Sequence, residues 1–190
     1  KQIVGAPSWL LEYRFDLSGV PDQEGAPSML QAASMVKKLL ADPFKLTFHH
    51  ETQEMQAYVL TVGKNGQKLA PSDAKGTLPN IVFRPGPTGL SLLDLNGTLG
   101  SFTSVLQIMV LDRPVVDRTG IAGRYDLQVT FTPDSSEFNG RPMMPPVADS
   151  ANASPGLFDA IQQQMGLKLE SQKTQVDVIA IDHVEKPSAN

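Results

Sequence analysis

Asp112–Asp134 reads DRPVVDRTGIAGRYDLQVTFTPD, and its second half decides the fold. Tyr125, Leu127, Val129 and Phe131 alternate with Asp126, Gln128, Thr130 and Thr132. A period of two sends the first set to one face, the pattern of an antiparallel strand with one buried side. Before it lie a short apolar run, Pro114-Val115-Val116, and a corner bracketed by Gly120 and Gly123. Glycine tolerates positive φ at such a corner, so the whole stretch is expected to form a hairpin.

Upstream, Leu99, Phe102, Val105, Leu106 and Met109 fall at helical spacing. Thr98 or Ser101 is the expected cap of that helix, and Leu90 to Leu95 is an expected strand before it. Downstream, residues 133–153 form a Pro-rich loop, of a length that is usually mobile or functional. Ser154 and Pro155 are expected to open another helix, with Leu157, Phe158, Ile161 and Met165 as its stripe and Gly166 as its C-cap. Leu167 to Glu170 and Val176 to Ile181 then read as two strands joined by a polar turn at Ser171 to Thr174. The last is apolar on both faces, which suits a central strand.

The first third repeats the arrangement. Trp9 is expected to be a packing anchor. Tyr13, Phe15 and Leu17 read as a strand, and Gly19 to Gly25 as a loop. Pro27 or Ser28 is the expected start of a helix whose stripe is Leu30, Ala33, Val36, Leu39 and Leu40, stopped by Pro43. Phe44 to Glu51 and Met55 to Val62 are two strands, with Thr52-Gln53-Glu54 as the turn between them. Gly63 to Gly66 closes the unit, and residues 67–88 are irregular around an isolated Ile81-Val82-Phe83.

Helix followed by hairpin thus occurs near 28–62, 98–132 and 154–182. The fold class is α+β, helices packed on antiparallel sheets in repeated βαββ-like units. The expected organisation is an N-terminal lobe over 1–70, a connection over 71–97 and a C-terminal lobe over 98–190, with packing as one domain as the alternative.

Composition narrows the function classes. The chain has 190 residues, 41% hydrophobic and 19% charged, with net charge −4. A core can form, and the scattered lysines and arginines argue against nucleic acid as the partner. With no cysteine, disulfides and thiolate chemistry are absent. No apolar run approaches the roughly 20 residues that span a bilayer. The chain begins at Lys1 without a Met, which reads as processed or trimmed.

Few residues point to chemistry. In His49-His50-Glu51, neighbouring strand side chains face opposite ways, so the three cannot hold one ion together. His50 belongs with Phe48, and His49 with Glu51. Asp182-His183 offers a dyad without a nucleophile elbow. Gly86 to Gly89 and Gly120 to Gly123 lack the lysine and the helix start of a phosphate loop. No catalytic residue, metal site or cofactor is assigned. The densest charges, Arg113, Asp117, Arg118, Arg124 and Asp126, could face a ligand through bidentate arginine contacts, or brace neighbouring strands.

Long motifs then carry a resemblance. RPVVDRTGIAGRYDLQVTFTPD, SPGLFDAIQQQMGLKLESQKTQVDVIAIDHVEKPSAN, GAPSWLLEYRFDLSG and LLADPFKLTFHHETQEMQAYVLTVGKNGQKL resemble DUF3738, a soil-associated bacterial family of unknown function expanded in Acidobacteria. The resemblance implies export, an additional N-terminal segment ahead of the GAPSW-like stretch, and occasional fusion to membrane peptidases of the antibiotic-sensor type. It implies no catalytic residues. Relatives share His49, whereas Arg often stands at position 50. The helix-hairpin pattern is also similar to the small N-terminal domains of secretins and TonB-dependent receptors, by analogy only. The functional expectation is an extracytoplasmic, periplasmic or secreted, non-enzymatic module that binds an envelope protein or small ligand. The alternatives are a hydrolase using His183/Asp182 or His49/Glu51, and a sensor module of a peptidase-linked regulator.

Overall fold

The computed structural model describes residues 2–20, 29–74, 79–143 and 150–187. The expected helix start at Pro27 or Ser28 and most of the loop from Gly19 to Gly25 lie outside them. In chain order the elements are β1 (Ile3–Val4), α1 (Trp9–Glu12), α2 (Met29–Phe44), β2 (Thr47–Val62), β3 (Ala70–Pro71), β4 (Asn80–Pro85) and β5 (Leu90–Gly97). Then follow α3 (Leu99–Val105, continued by a π-helical turn Leu106–Val110), β6 (Val115–Asp117), β7 (Tyr125–Phe131), α4 (Leu157–Ala160, continued by a π-helical turn Ile161–Met165) and β8 (Leu167–His183). Among the described residues the strands form two four-stranded sheets, ordered β1-β8-β2-β6 and β3-β7-β5-β4. The fold class is α+β.

The organising strand is as the alternation predicts. Along β7, Leu127, Val129 and Phe131 are buried while Asp126 and Gln128 are exposed. Its partner is not the expected one. β6 pairs in parallel with β2, Tyr58 opposite Val115, whereas β7 pairs antiparallel with β5, Leu92 opposite Val129. The corner between β6 and β7, with Gly120 at φ 68° and Gly123 at φ 111°, hands the chain from one sheet to the other. It closes no hairpin.

Two further hairpins are single long strands. β2 runs through Thr52-Gln53-Glu54, and β8 runs through Ser171 to Thr174. Both stretches are polar, but neither has a residue with positive φ, nor the Gly, Pro or Asn that reverses a chain. A polar run can simply be the wet part of a strand. Ile81-Val82-Phe83, left unassigned by pattern, is the middle of β4 and pairs with β5.

The chain groups into two units, 1–53 with 175–190, and 54–174. β2 and β8 each contribute residues to both units. In the larger unit the core joins Leu90 and Leu92 of β5, Leu127, Val129 and Phe131 of β7, Phe102 and Leu106 around α3, and Leu157 and Ile161 around α4. Each such side chain is worth about 1.5–3 kcal/mol when fully buried. Phe138 stacks on Phe131 at 6.4 Å and takes the edge of Phe83 at 5.7 Å. Thr98 caps α3 in a capping box with Ser101. Gly156, rather than Ser154, is the N-cap of α4, and Gly166 ends the helix left-handed at φ 67°.

In the smaller unit β8 is central, with β1 beside it in parallel, Ile3 opposite Ile179. Tyr13 to Leu17 forms no strand; the helical turn α1 precedes it, and these residues stay partly exposed. Phe15 instead sits between rings, 6.2 Å from Trp9 and 5.1 Å from Phe44. The expected stripe of α2 holds at Leu39 and Leu40, which are half-buried, but not at Ala33 and Val36, which are exposed; Ala32 and Met35 are half-buried instead. Pro43 lies inside its last turn, and the helix ends at Lys45, which is left-handed at φ 47°.

Candidate functional site

The five charged residues singled out by their density fall into three places. Asp117 accepts the Thr119 N–H at 2.8 Å and the Thr119 hydroxyl at 2.7 Å, an Asx turn at the end of β6. Arg118 is exposed, and among the described residues its guanidinium has no partner. Arg124 and Asp126 meet at the bulge in β5 and hold its backbone. Arg124 donates to the Asn96 carbonyl at 2.7 Å, and Asp126 accepts the Asn96 N–H at 2.9 Å.

That bulge contains a group the pattern did not reveal. Between Asp94 and Gly97 the β5–β7 register shifts, and Asn96 is left-handed at φ 56°. Asp94 is fully buried. Its Oδ2 accepts the Ser101 hydroxyl at 2.7 Å, while its Oδ1 has no partner among the described residues. Burial pushes the Asp94 carboxyl up, against the Ser101 hydrogen bond and the Arg124 charge. A Cβ on Gly97 would collide with that carboxyl, so only glycine fits over it. The dipeptide Asn96-Gly97 is the sequence signal of a turn or bulge here. The backbone and the α3 cap engage these groups; Ser101 is held as a cap rather than presented as a nucleophile.

Arg113 belongs to a third place. Its Nε donates to Asp112 at 3.1 Å and its Nη1 to the Ser171 hydroxyl at 3.1 Å. The guanidinium lies 5.8 Å from the Tyr58 ring centroid, and Phe158 meets that ring edge-on at 5.4 Å. Tyr58 donates its hydroxyl to Asp112 at 3.1 Å. Burial first, then this bond and the Asp112 charge, push the Tyr58 pKa up. Phe158 remains 36% exposed, so the cluster presents an aromatic surface with an arginine already oriented beside it.

The histidines pair differently from their order in sequence. Asp182 faces His49, with Oδ1 at 2.8 Å from Nδ1, and Glu51 lies 3.7 Å from His49 Nε2. His183 instead meets Glu185 at 3.0 Å. His50 stands edge-on to Phe48 at 5.9 Å, on the face that alternation assigns to it. Among the described residues no group of three or more His, Cys, Asp or Glu is placed to hold a metal ion.

Another buried carboxyl lies in the Pro-rich loop. Glu137, 2% exposed, accepts the Asp134 N–H at 3.3 Å. Burial, and then the Asp134 charge, push its carboxyl up to about 7. Phe138 and Asn139 beside it are both left-handed, at φ 52° and 57°, a local strain held by the Phe83 and Phe131 contacts.

A family model described as a protein of unknown function, DUF3738, matches residues 1–184 of this chain. No curated protein matches it. No solved structure matches it either.

Proposed function

The chain belongs to the DUF3738 family, and from that premise we propose that it is a non-enzymatic interaction module of the bacterial cell envelope. The single observation that carries this reading is the Arg113–Tyr58–Phe158 cluster. Arginine and aromatic side chains dominate the energetics of protein interfaces. An arginine already held by Asp112 and Ser171 loses little freedom when a partner docks. An extracytoplasmic location is part of this proposal; a chain without cysteine has no thiol to oxidise there. Among the described residues no helix is long and apolar enough to cross a membrane.

The experiment is affinity capture from envelope extract with the purified chain and with an Arg113→Ala/Phe158→Ala variant of unchanged circular dichroism. The expected result is a reproducible partner retained by the parent and lost by the variant. Equal capture by both removes the surface, and no partner for either removes the reading. Asp117→Ala or Arg124→Ala would be a poorer probe, because both side chains hold backbone.

The hydrolase reading keeps one favourable observation, the His49–Asp182 pair at 2.8 Å. An activated hydroxyl has to lie within hydrogen-bond reach of the histidine, and among the described residues neither His49 nor His183 bonds one. Any hydrolytic activity of the chain that survives His49→Ala would eliminate this reading.

A further inference from the structure

The turn after β2 closes against the end of α4. Gly63 N–H donates to the Gly166 carbonyl at 2.9 Å, and Lys68 N–H to the Met165 carbonyl at 2.8 Å. Gly66 and Gly166 are both left-handed, at φ 77° and 67°. A Cβ on Gly166 would collide with the Gly66 carbonyl oxygen, so glycine is what lets the two backbones approach. Beside this junction lies a cleft of about 310 Å³. Lys64 and Lys68 reach it from the turn and Lys168 from the first residues of β8, with Asn65 and Gln162 as neutral polar neighbours. Among the described residues no Asp or Glu lines it.

Three lysines and no carboxylate line this opening, in a chain whose net charge is −4. The three ammoniums are engaged to different degrees. Lys168 pairs with Glu170 at 2.8 Å. Lys68 donates one N–H to the Gln163 carbonyl at 2.9 Å, which leaves two more. Lys64 has no partner among the described residues. Like charges gathered in one place repel, and an anion between them removes that cost. The plain alternative is a set of solvated turn lysines, with Lys68 serving the carbonyl end of a helix. That explains Lys68, but not why Lys64 and Lys168, far apart in sequence, share the same opening.

We propose that this cleft binds the phosphate oxyanion of a small ligand. Lysine is a point-charge phosphate binder. Three lysines around one cleft suit a dianion with several oxygens better than a lone carboxylate. The volume is at the lower end of small-molecule sites, roughly 300–1,000 Å³, which leaves room for a modest organic group beyond the phosphate. The cleft is a separate feature from the Arg113 surface, and neither proposal depends on the other.

The test titrates the full chain with inorganic phosphate at low salt, followed by ¹H–¹⁵N spectra. The expected result is saturable shifts centred on the amides of Gly63, Asn65, Gly66 and Gly166. Binding should weaken about tenfold or more in a Lys64→Gln/Lys68→Gln/Lys168→Gln variant and fall with added salt. Should that variant not fold, Lys64→Gln alone carries the test, since its ammonium holds nothing in the fold; at least a threefold weakening is expected. A parallel arm sediments the chain with phosphatidylglycerol vesicles. A phosphate response alone supports a soluble phosphoester, and sedimentation lost in the glutamine variants supports a lipid headgroup. Shifts scattered over the surface, binding unchanged by the substitutions, or no response in either arm overturn the proposal.

Discussion

At the β5 bulge, Arg124, Asp126 and Ser101 direct their hydrogen bonds to the backbone of Asn96 and Thr98 and to the buried Asp94. At the turn after β2, Lys64 has no partner among the described residues and Lys68 keeps two N–H groups beyond its single bond to Gln163. The bulge contains the denser charges in sequence, yet each of these side chains supports a backbone carbonyl, a backbone N–H or a cap. The lysines of the turn form no motif in sequence, and they present their charge to a cleft. At the bulge, charges close together in sequence hold backbone; at the turn, lysines far apart in sequence line one cleft, the one proposed above to take an anion.

Substitutions can break that contrast. The largest loss is expected at the junction below the lysine cleft. Gly166→Ala must hold a left-handed residue and push the Gly66 carbonyl aside, so stability should fall by about 2–4 kcal/mol in urea unfolding. A loss under about 0.5 kcal/mol would mean that the close approach is not what shapes the cleft.

The next effect is on pH dependence, through the buried carboxyl of the Pro-rich loop. Glu137 is pushed up to about 7 from 4.5 by burial and by Asp134, so between those values the folded chain holds a proton that the unfolded chain has released. Its contribution is therefore full below about pH 4.5 and is lost as pH rises through about 7, by at most about 3 kcal/mol. Asp94, raised by burial, acts with the same sign. Glu137→Gln should flatten the stability curve between about pH 5 and 8; an unchanged slope would place its origin elsewhere.

Ser101→Ala removes half of the capping box and the partner of Asp94 Oδ2. It should cost about 1–2 kcal/mol by thermal unfolding, and a neutral result would show that the bulge does not depend on its cap. Smallest of all is Arg118→Ala, expected within about 0.5 kcal/mol of the parent; a larger loss would mean that this exposed arginine braces the corner too.

The sequence made β7 legible because alternation is local: Leu127, Val129 and Phe131 bury as the period of two requires. Gly120, Gly123 and Gly166 were legible for a similar reason, as each needs a left-handed backbone. Strand partners were not, since Val115 pairs with Tyr58 from a distant part of the chain and no local pattern encodes that choice. Thr52-Gln53-Glu54 and Ser171 to Thr174 are polar in the manner of turns yet lie within single strands, because neither holds a residue that reverses the chain. At the sites, Arg113 was legible as a charged residue, but its seat on Tyr58 beside Phe158 exists only in three dimensions. Lys64, Lys68 and Lys168 carry no sequence signal as a set, because the turn and the start of β8 are joined by folding alone.

The most direct measurement compares urea unfolding at neutral pH for Arg124→Gln and Lys64→Gln. Arg124→Gln is expected to lose about 1 kcal/mol or more, because the Asn96 carbonyl loses a charged donor. Lys64→Gln should stay within about 0.5 kcal/mol of the parent. Equal losses, or a larger loss at Lys64, would contradict the distinction between charge that holds the fold and charge left for a ligand.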